Sequence, residues 1–246
     1  MKSRARGGEY ARVTDVLLGE RDQALAAAAD RAAKTAPGVL IDTDPLRGPA
    51  AQAVTESGAG AQMLVLGSRG IGAFTALLLG SVSRYAASHA SCPVVVIRDE
   101  AAGPHELVGV GVGDLDTCGD ALTFAFDEAS LRHASLHVVH AWHTPQTEIS
   151  RAGQAFTPPG PEAAATDAAR HLSGLLDDWQ AKYPGVPVSQ EVVHGHPGRA
   201  LVGLSARADL VVVGRHVKHP GLPGGGSVRH AVLNHAHGPV ATVPSV

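Results

Sequence analysis

The chain has 246 residues, enough for one or two domains with real cores. Its net charge of −3 and 4% aromatic content supply neither the basic field nor the stacking surface that nucleic-acid binding needs, and its apolar runs are too short to span a bilayer. Cys92 and Cys118 are the only cysteines and no apolar stretch follows the basic start, so a reducing, cytoplasmic setting without a secretion signal is expected.

In chain order, hydrophobic periodicity predicts a helix over 18–34, a strand over 39–46, a helix over 50–56 and a strand over 63–66. Where that strand runs out comes Gly67-Ser68-Arg69-Gly70, and then Gly80-Ser81-Val82-Ser83 at the start of a helix over 81–88. A glycine-rich turn from a strand edge into a helix aims backbone N–H groups at a phosphate. Glycine permits positive φ and close approach to the anion, while Ser81 and Ser83 can cap the helix or donate to a phosphate oxygen. No Gly-Lys-Ser/Thr follows, so this is not the loop of nucleotide hydrolases, and the glycines lie too far apart for the dinucleotide fingerprint. The plainer alternative is a surface turn before a capped helix, with Arg69 solvated rather than paired to phosphate.

A strand over 94–97 closes the first half, and a linker follows near 99–104. The second half then reads as a strand over 107–112, a helix over 120–132, a strand over 135–141 and a Pro/Gly-containing loop over 144–161. A helix over 162–182, a strand over 186–193, a helix over 197–206, a strand over 210–213, a helix over 227–235 and a strand over 240–243 complete it. Five strands with crossover helices imply a parallel, doubly wound α/β sheet, whose ligands sit outside the carboxyl ends of the strands.

The two halves are copies. Gly48 recurs as Gly195 and Leu64-Val65-Leu66-Gly67 as Val211-Val212-Val213-Gly214 at one constant offset. Beyond the turn, Ser81-Val82, His89-Ala90 and Pro93-Val94 recur as Ser227-Val228, His235-Ala236 and Pro239-Val240, one residue closer. The domains are therefore expected at 1–99 and 105–246. At the same offset, the counterparts of Leu107 through His143 would precede Met1, so the first copy lacks its opening strand, helix and second strand. Its strand over 39–46 is left without a neighbour, and its backbone groups must find water or another chain. A truncated start is favoured here over a swap in which a second chain fills the gap.

The segment LGSRGIGAFTALLLGSVSRYAASHASCPVVVIR resembles the hallmark of the universal stress protein family, whose ATP-binding members carry Gly-x2-Gly-x9-Gly-Ser/Thr. The second-copy segment VVVGRHVKHPGLPGGGSVRHAVLNHAHGPVATVP is similar to the second domain of tandem actinobacterial members. The resemblance implies two flavodoxin-like domains of strand order 3-2-1-4-5 paired through their last strands, and a homodimer acting in the stress response. It also implies that Gly67, Gly70, Gly80, Ser81, Val82 and Ser83 contact the ribose and triphosphate of ATP, with Mg2+ held through the phosphates.

Two departures bear on that implication. The family's adenine-contacting Asp at the end of the first strand has no counterpart in the first copy, and in the second its place is taken by Gly113, with Asp114 one residue on. The second turn keeps Gly214, Gly226 and Ser227 but has Val217 for Gly70, a shorter spacing, and Pro220 and Pro223. A β-branched residue resists positive φ, so the second cradle is degenerate.

The 14 histidines invite a metal reading, chiefly at His194-x-His196 and His235-x-His237. Alternate residues share a face on a strand but diverge on a helix, so only the first pair can converge, and no carboxylate or Cys spacing completes a site. His235 matches His89, which favours packing. Three function classes follow: an ATP-binding regulator, a nucleotide-independent dimerising scaffold, and an ATP-consuming enzyme. For the third, no Lys or Arg clamp and no general base stands at a defined spacing, and Asp114 and Asp116 are candidates only by proximity to a strand end.

Overall fold

Alternation of branched apolar residues sets the architecture. Along Leu210-Val211-Val212-Val213 every side chain is buried, which requires packing on both faces and therefore a sheet between two helical layers. A computed structural model describes residues 3–68, 79–98, 104–113, 115, 117–142, 161–215 and 225–245. Its elements are α1 (Ser3–Thr35), α2 (Ala50–Ser57), β1 (Leu64–Gly67), α3 (Ser81–His89), β2 (Val94–Ile97), β3 (Leu107–Val112), α4 (Gly119–Arg132), β4 (Ser135–Trp142), α5 (Pro161–Lys182), β5 (Val188–His194), α6 (Pro197–Leu204), β6 (Leu210–Arg215), α7 (Gly225–His235) and β7 (Val240–Pro244).

The chain divides into two compact units, 1–53 and 54–246, with α2 straddling the division. In the first unit α1 begins at Ser3 rather than near 18. The strand expected over 39–46 does not form. Those residues have no regular structure, and Val39 and Leu40 are 62% and 99% exposed. A strand exists only where a neighbour takes up its N–H and C=O groups, and among the described residues nothing pairs with this segment.

The second unit holds one seven-stranded sheet in the order β1-β2-β7-β6-β3-β4-β5. Five strands from the second half, β5-β4-β3-β6-β7, are all parallel and give the doubly wound 3-2-1-4-5 order. β1 runs parallel to β2, and β2 pairs antiparallel with β7 through Val94↔Thr242, Val95↔Ala241 and Val96↔Val240. This ladder is why the compact unit spans the boundary between the copies.

One core layer sets Leu122, Ala125 and Phe126 of α4 and Leu172 and Leu176 of α5 against Val108, Val110, Leu136 and Val138. Phe126 stacks with Tyr183 at 5.0 Å and with Trp179 at 5.7 Å between ring centroids. The other layer joins Ala86 and Ala87 of α3, Leu201 and Leu204 of α6, and Val232 and Leu233 of α7 over Val94, Val96, Val211 and Val213. Here α6 approaches β3 very closely. A Cβ on Gly109 would lie 2.4 Å from Leu204 Cδ2, and one on Gly111 2.5 Å from Leu201 Cδ1. The glycines of Leu107-Val108-Gly109-Val110-Gly111-Val112 thus serve helix–sheet contact.

Candidate functional site

The first glycine turn is pinned at both described ends. The Ser83 hydroxyl donates to the Gly67 carbonyl at 2.6 Å, tying the end of β1 to the first turn of α3. The Gly80 N–H donates to the Ser68 carbonyl at 2.8 Å, and the Ser68 N–H to the Ile97 carbonyl at 2.8 Å. Leu79 and Ser83 are buried beneath the turn, so its two ends are part of the core. Gly70 and Arg69 lie outside the described residues.

The cap of α3 is Gly80, at φ −64° and ψ 153°, with no side-chain cap bond. Neither serine caps the helix, because Ser81 and Ser83 already lie inside it. Nor does Gly80 need positive φ: its backbone is extended. The first helical bond runs from the Arg84 N–H to the Gly80 carbonyl at 3.0 Å. The amides of Ser81, Val82 and Ser83 come before that bond and have no carbonyl within the helix to accept them. They stand at the carboxyl end of a parallel strand, where the helix dipole favours negative charge. The Ser83 hydroxyl hydrogen is committed to Gly67, so Ser83 can offer an anion its amide.

The second turn is built from different chemistry. By the offset between the copies, Arg215 stands in the place of Ser68 and Arg229 in that of Ser83. Two small hydroxyls have become two half-buried guanidinium groups. Arg215 Nη2 donates to the carbonyl of Ala90, the C-cap of α3, where the helix's negative end favours a cation. Burial first, and then the charge of Arg229, hold the Arg215 pKa below its ordinary value, and burial does the same to Arg229. Arg98, after β2, makes the reciprocal bond to the Leu233 carbonyl near the end of α7. Gly113 is exposed at the end of β3, and a Cβ there would meet nothing within 4 Å; Asp114, Asp116 and Val217 lie outside the described residues.

His194 and His196, the one pair that a shared strand face could have brought together, do not share a strand. β5 ends at His194, Gly195 takes φ 145°, and His196 is the N-cap of α6. Among the described residues no group of three or more His, Cys, Asp or Glu side chains is placed to hold a metal ion. His89 and His235 end α3 and α7 on exposed last turns, where the dipole favours a cation, rather than packing inside. The His89 ring stacks on Tyr85 at 4.2 Å. Cys92 and Cys118 are both buried and no disulfide joins them. At the opposite end of β3 and β6, Asp209 accepts the His105 and Leu107 N–H groups at 2.8 and 3.3 Å. Burial pulls its pKa up, but those N–H bonds and the His105 ring outweigh it and leave the carboxyl below its ordinary value.

A doubly wound sheet carrying a glycine turn from strand into helix, in a chain whose sequence repeats that turn once in altered form, defines a tandem α/β protein of flavodoxin-like fold. The chain belongs to the universal stress protein family: the family model matches residues 4–98 and 106–244. It is 44% identical over 186 residues to universal stress protein Rv2005c of Mycobacterium tuberculosis, covering 73% of this chain and 61% of that protein. Universal stress protein Rv1996 of the same organism is 40% identical over 183 residues, covering 72% of this chain and 57% of its own length. The chain thus spans about three fifths of the length of these curated relatives. The crystal structure of a universal stress protein from Archaeoglobus fulgidus shares the fold at a TM-score of 0.62 and 19% identity, covering 94% of this chain and 80% of that one. Among the described residues no helix is long and apolar enough to cross a membrane.

Proposed function

We propose that this chain is a stress-response regulatory protein that binds ATP at its first glycine turn. The triphosphate rests on the amides of Ser81, Val82 and Ser83, with Gly67, Gly70 and Gly80 admitting it closely and Mg2+ held through the phosphates rather than by side chains. The reading includes a cytoplasmic homodimer whose two halves join through their last strands, and a protein that signals rather than catalyses. The observation that carries it is the pinned turn: the bonds from Ser83 to Gly67 and from Gly80 to Ser68 hold three amides, with no acceptor among the described residues, at the carboxyl end of a parallel strand. Family membership adds weight to the same reading.

A nucleotide-independent scaffold is the second reading. The two arginines of the second turn favour it, as does the position of β1 at the end of the sheet, where no described strand stands beside it to hold a base. Calorimetric titration with ATP and Mg2+ separates the two. The expected result is saturable heat in the parent chain and none in Gly80→Val. The φ and ψ of Gly80 suit a valine, and circular dichroism of the variant confirms its fold before the heat is read. A parent chain that is folded by circular dichroism and yields no heat above buffer transfers the case to the scaffold.

A further inference from the structure

Three side chains far along the sheet from the glycine turn form a relay that the nucleotide reading does not use. In the β4–β5 ladder His137 stands directly opposite Ser189, and Glu191 lies two residues further along β5 on the same face. His137 Nδ1 is 2.8 Å from Ser189 Oγ, and His137 Nε2 is 3.1 Å from Glu191 Oε2. β5 is the last strand of the sheet, and Ser189 and Glu191 are exposed along it. The imidazole between them is enclosed, with 12% of its side chain exposed against 51% for Glu191.

Donor and acceptor chemistry settles which nitrogen carries the proton. An ionised carboxylate only accepts, so Nε2 bears the hydrogen that bonds Glu191. In the neutral ring Nδ1 is then a bare lone pair, and the hydrogen between it and Ser189 belongs to the hydroxyl. A nucleophile within hydrogen-bond reach of a base, itself oriented by a third group, is the arrangement that activates serine.

We propose that Ser189 is an activated nucleophile for acyl transfer from small, unhindered esters or thioesters, with His137 as general base and Glu191 as its positioning residue. Ser189 Oγ attacks the acyl carbon while its proton passes to His137 Nδ1. The imidazolium returns that proton to the departing alkoxide or thiolate, and the acyl group remains on Ser189. Water, giving a proton to the same nitrogen, then attacks the acyl-serine, and the imidazolium returns that proton to the departing Ser189 Oγ as the carboxylic acid leaves. The exposed edge strand admits the electrophile from the side of the sheet.

The test is covalent labelling of the full chain with an alkyl fluorophosphonate, mapped by peptide mass spectrometry. The expected result is a phosphonyl group on the Ser189 peptide, lost in Ser189→Ala and slowed about 100-fold in His137→Gln, the order that general-base assistance supplies. In the parent chain the labelling rate rises with pH, because only the unprotonated imidazole can take the Ser189 proton. Glu191→Gln lowers the rate and Glu191→Asp, which keeps the carboxylate, restores part of it, a rescue that a purely structural residue would not show. If His137→Gln fails to fold, the parent pH profile decides. Label absent from Ser189, or a rate indifferent to both pH and His137→Gln, overturns the proposal and leaves the trio a cross-strand polar ladder.

Discussion

Replacing Gly109 by alanine tests whether the closeness of α6 to β3 is a requirement of the fold. The added Cβ would lie 2.4 Å from Leu204 Cδ2 and 2.9 Å from Leu204 Cγ, where ordinary contact begins near 3.4 Å. Leu204 is 3% exposed and packed among Val211, Val213 and Leu233, so rotating its tip away only moves the clash to a neighbour. Overpacking of this kind costs about 1–3 kcal/mol. Losing a flexible glycine from the unfolded chain returns roughly 0.4–1 kcal/mol, so the net loss is about 1–2 kcal/mol. For a domain of this size that is a drop of about 2–8 °C in melting temperature. Denaturant titration followed by circular dichroism measures it, with the midpoint falling and the slope unchanged. Gly113→Ala is the control, since a Cβ there meets nothing within 4 Å, and it leaves the midpoint level or slightly raised. Equal midpoints for the two variants would refute the close-packing argument.

Further outcomes follow from the electrostatics and the turn. Ser83→Ala removes the bond to the Gly67 carbonyl and lowers stability by about 1–2 kcal/mol in the same titration, and Gly80→Val costs about 1 kcal/mol because valine is a poorer N-cap than glycine. Arg229→Gln relieves the like charge that disfavours Arg215, so the melting temperature rises at low salt and the gain shrinks as salt screens it. Asp209 is held below its ordinary pKa, so its ionised form stabilises the fold above the unfolded-state value, and that stability is lost as pH falls through the folded value. Asp209→Asn is accordingly less stable than the parent at neutral pH, and melting curves taken at decreasing pH converge once the carboxyl is protonated.

The elements of the second half were legible because each carries a strong period. β3 begins and ends at the residues that an apolar run marks out, as β2 does at the close of the first half. β5 starts two residues later than the branched run suggests, at Val188, because Pro187 has no N–H to give the ladder even though its carbonyl still accepts the Leu136 amide. The start of α1 was hidden: residues 3–17 include Gly7 and Gly8 and show no apolar stripe. Val39-Leu40-Ile41 looks like a strand by itself, but strandedness belongs to a pair, and the sequence of one member cannot supply the other.

At the site, the ends of the turn were visible from the spacing of Gly67 and Gly80, whereas the bond from Ser83 to Gly67 depends on a fold-level approach between residues sixteen apart. Arg215 and Arg229 could have been found by carrying the offset between the copies past the glycines to Ser68 and Ser83. The grouping of Ser189, His137 and Glu191 carries no sequence signal, because it rests on the register of two strands.

The antiparallel step between β2 and β7 has a consequence for how the molecule can be read by others. β1 follows the direction of β2 and β6 that of β7, so the carboxyl ends of β1 and β6 open at opposite rims of one continuous sheet. The two strand ends therefore do not share a rim. What joins the halves is the backbone ladder at Val95 and Ala241, with the Arg98 and Arg215 bonds beside it.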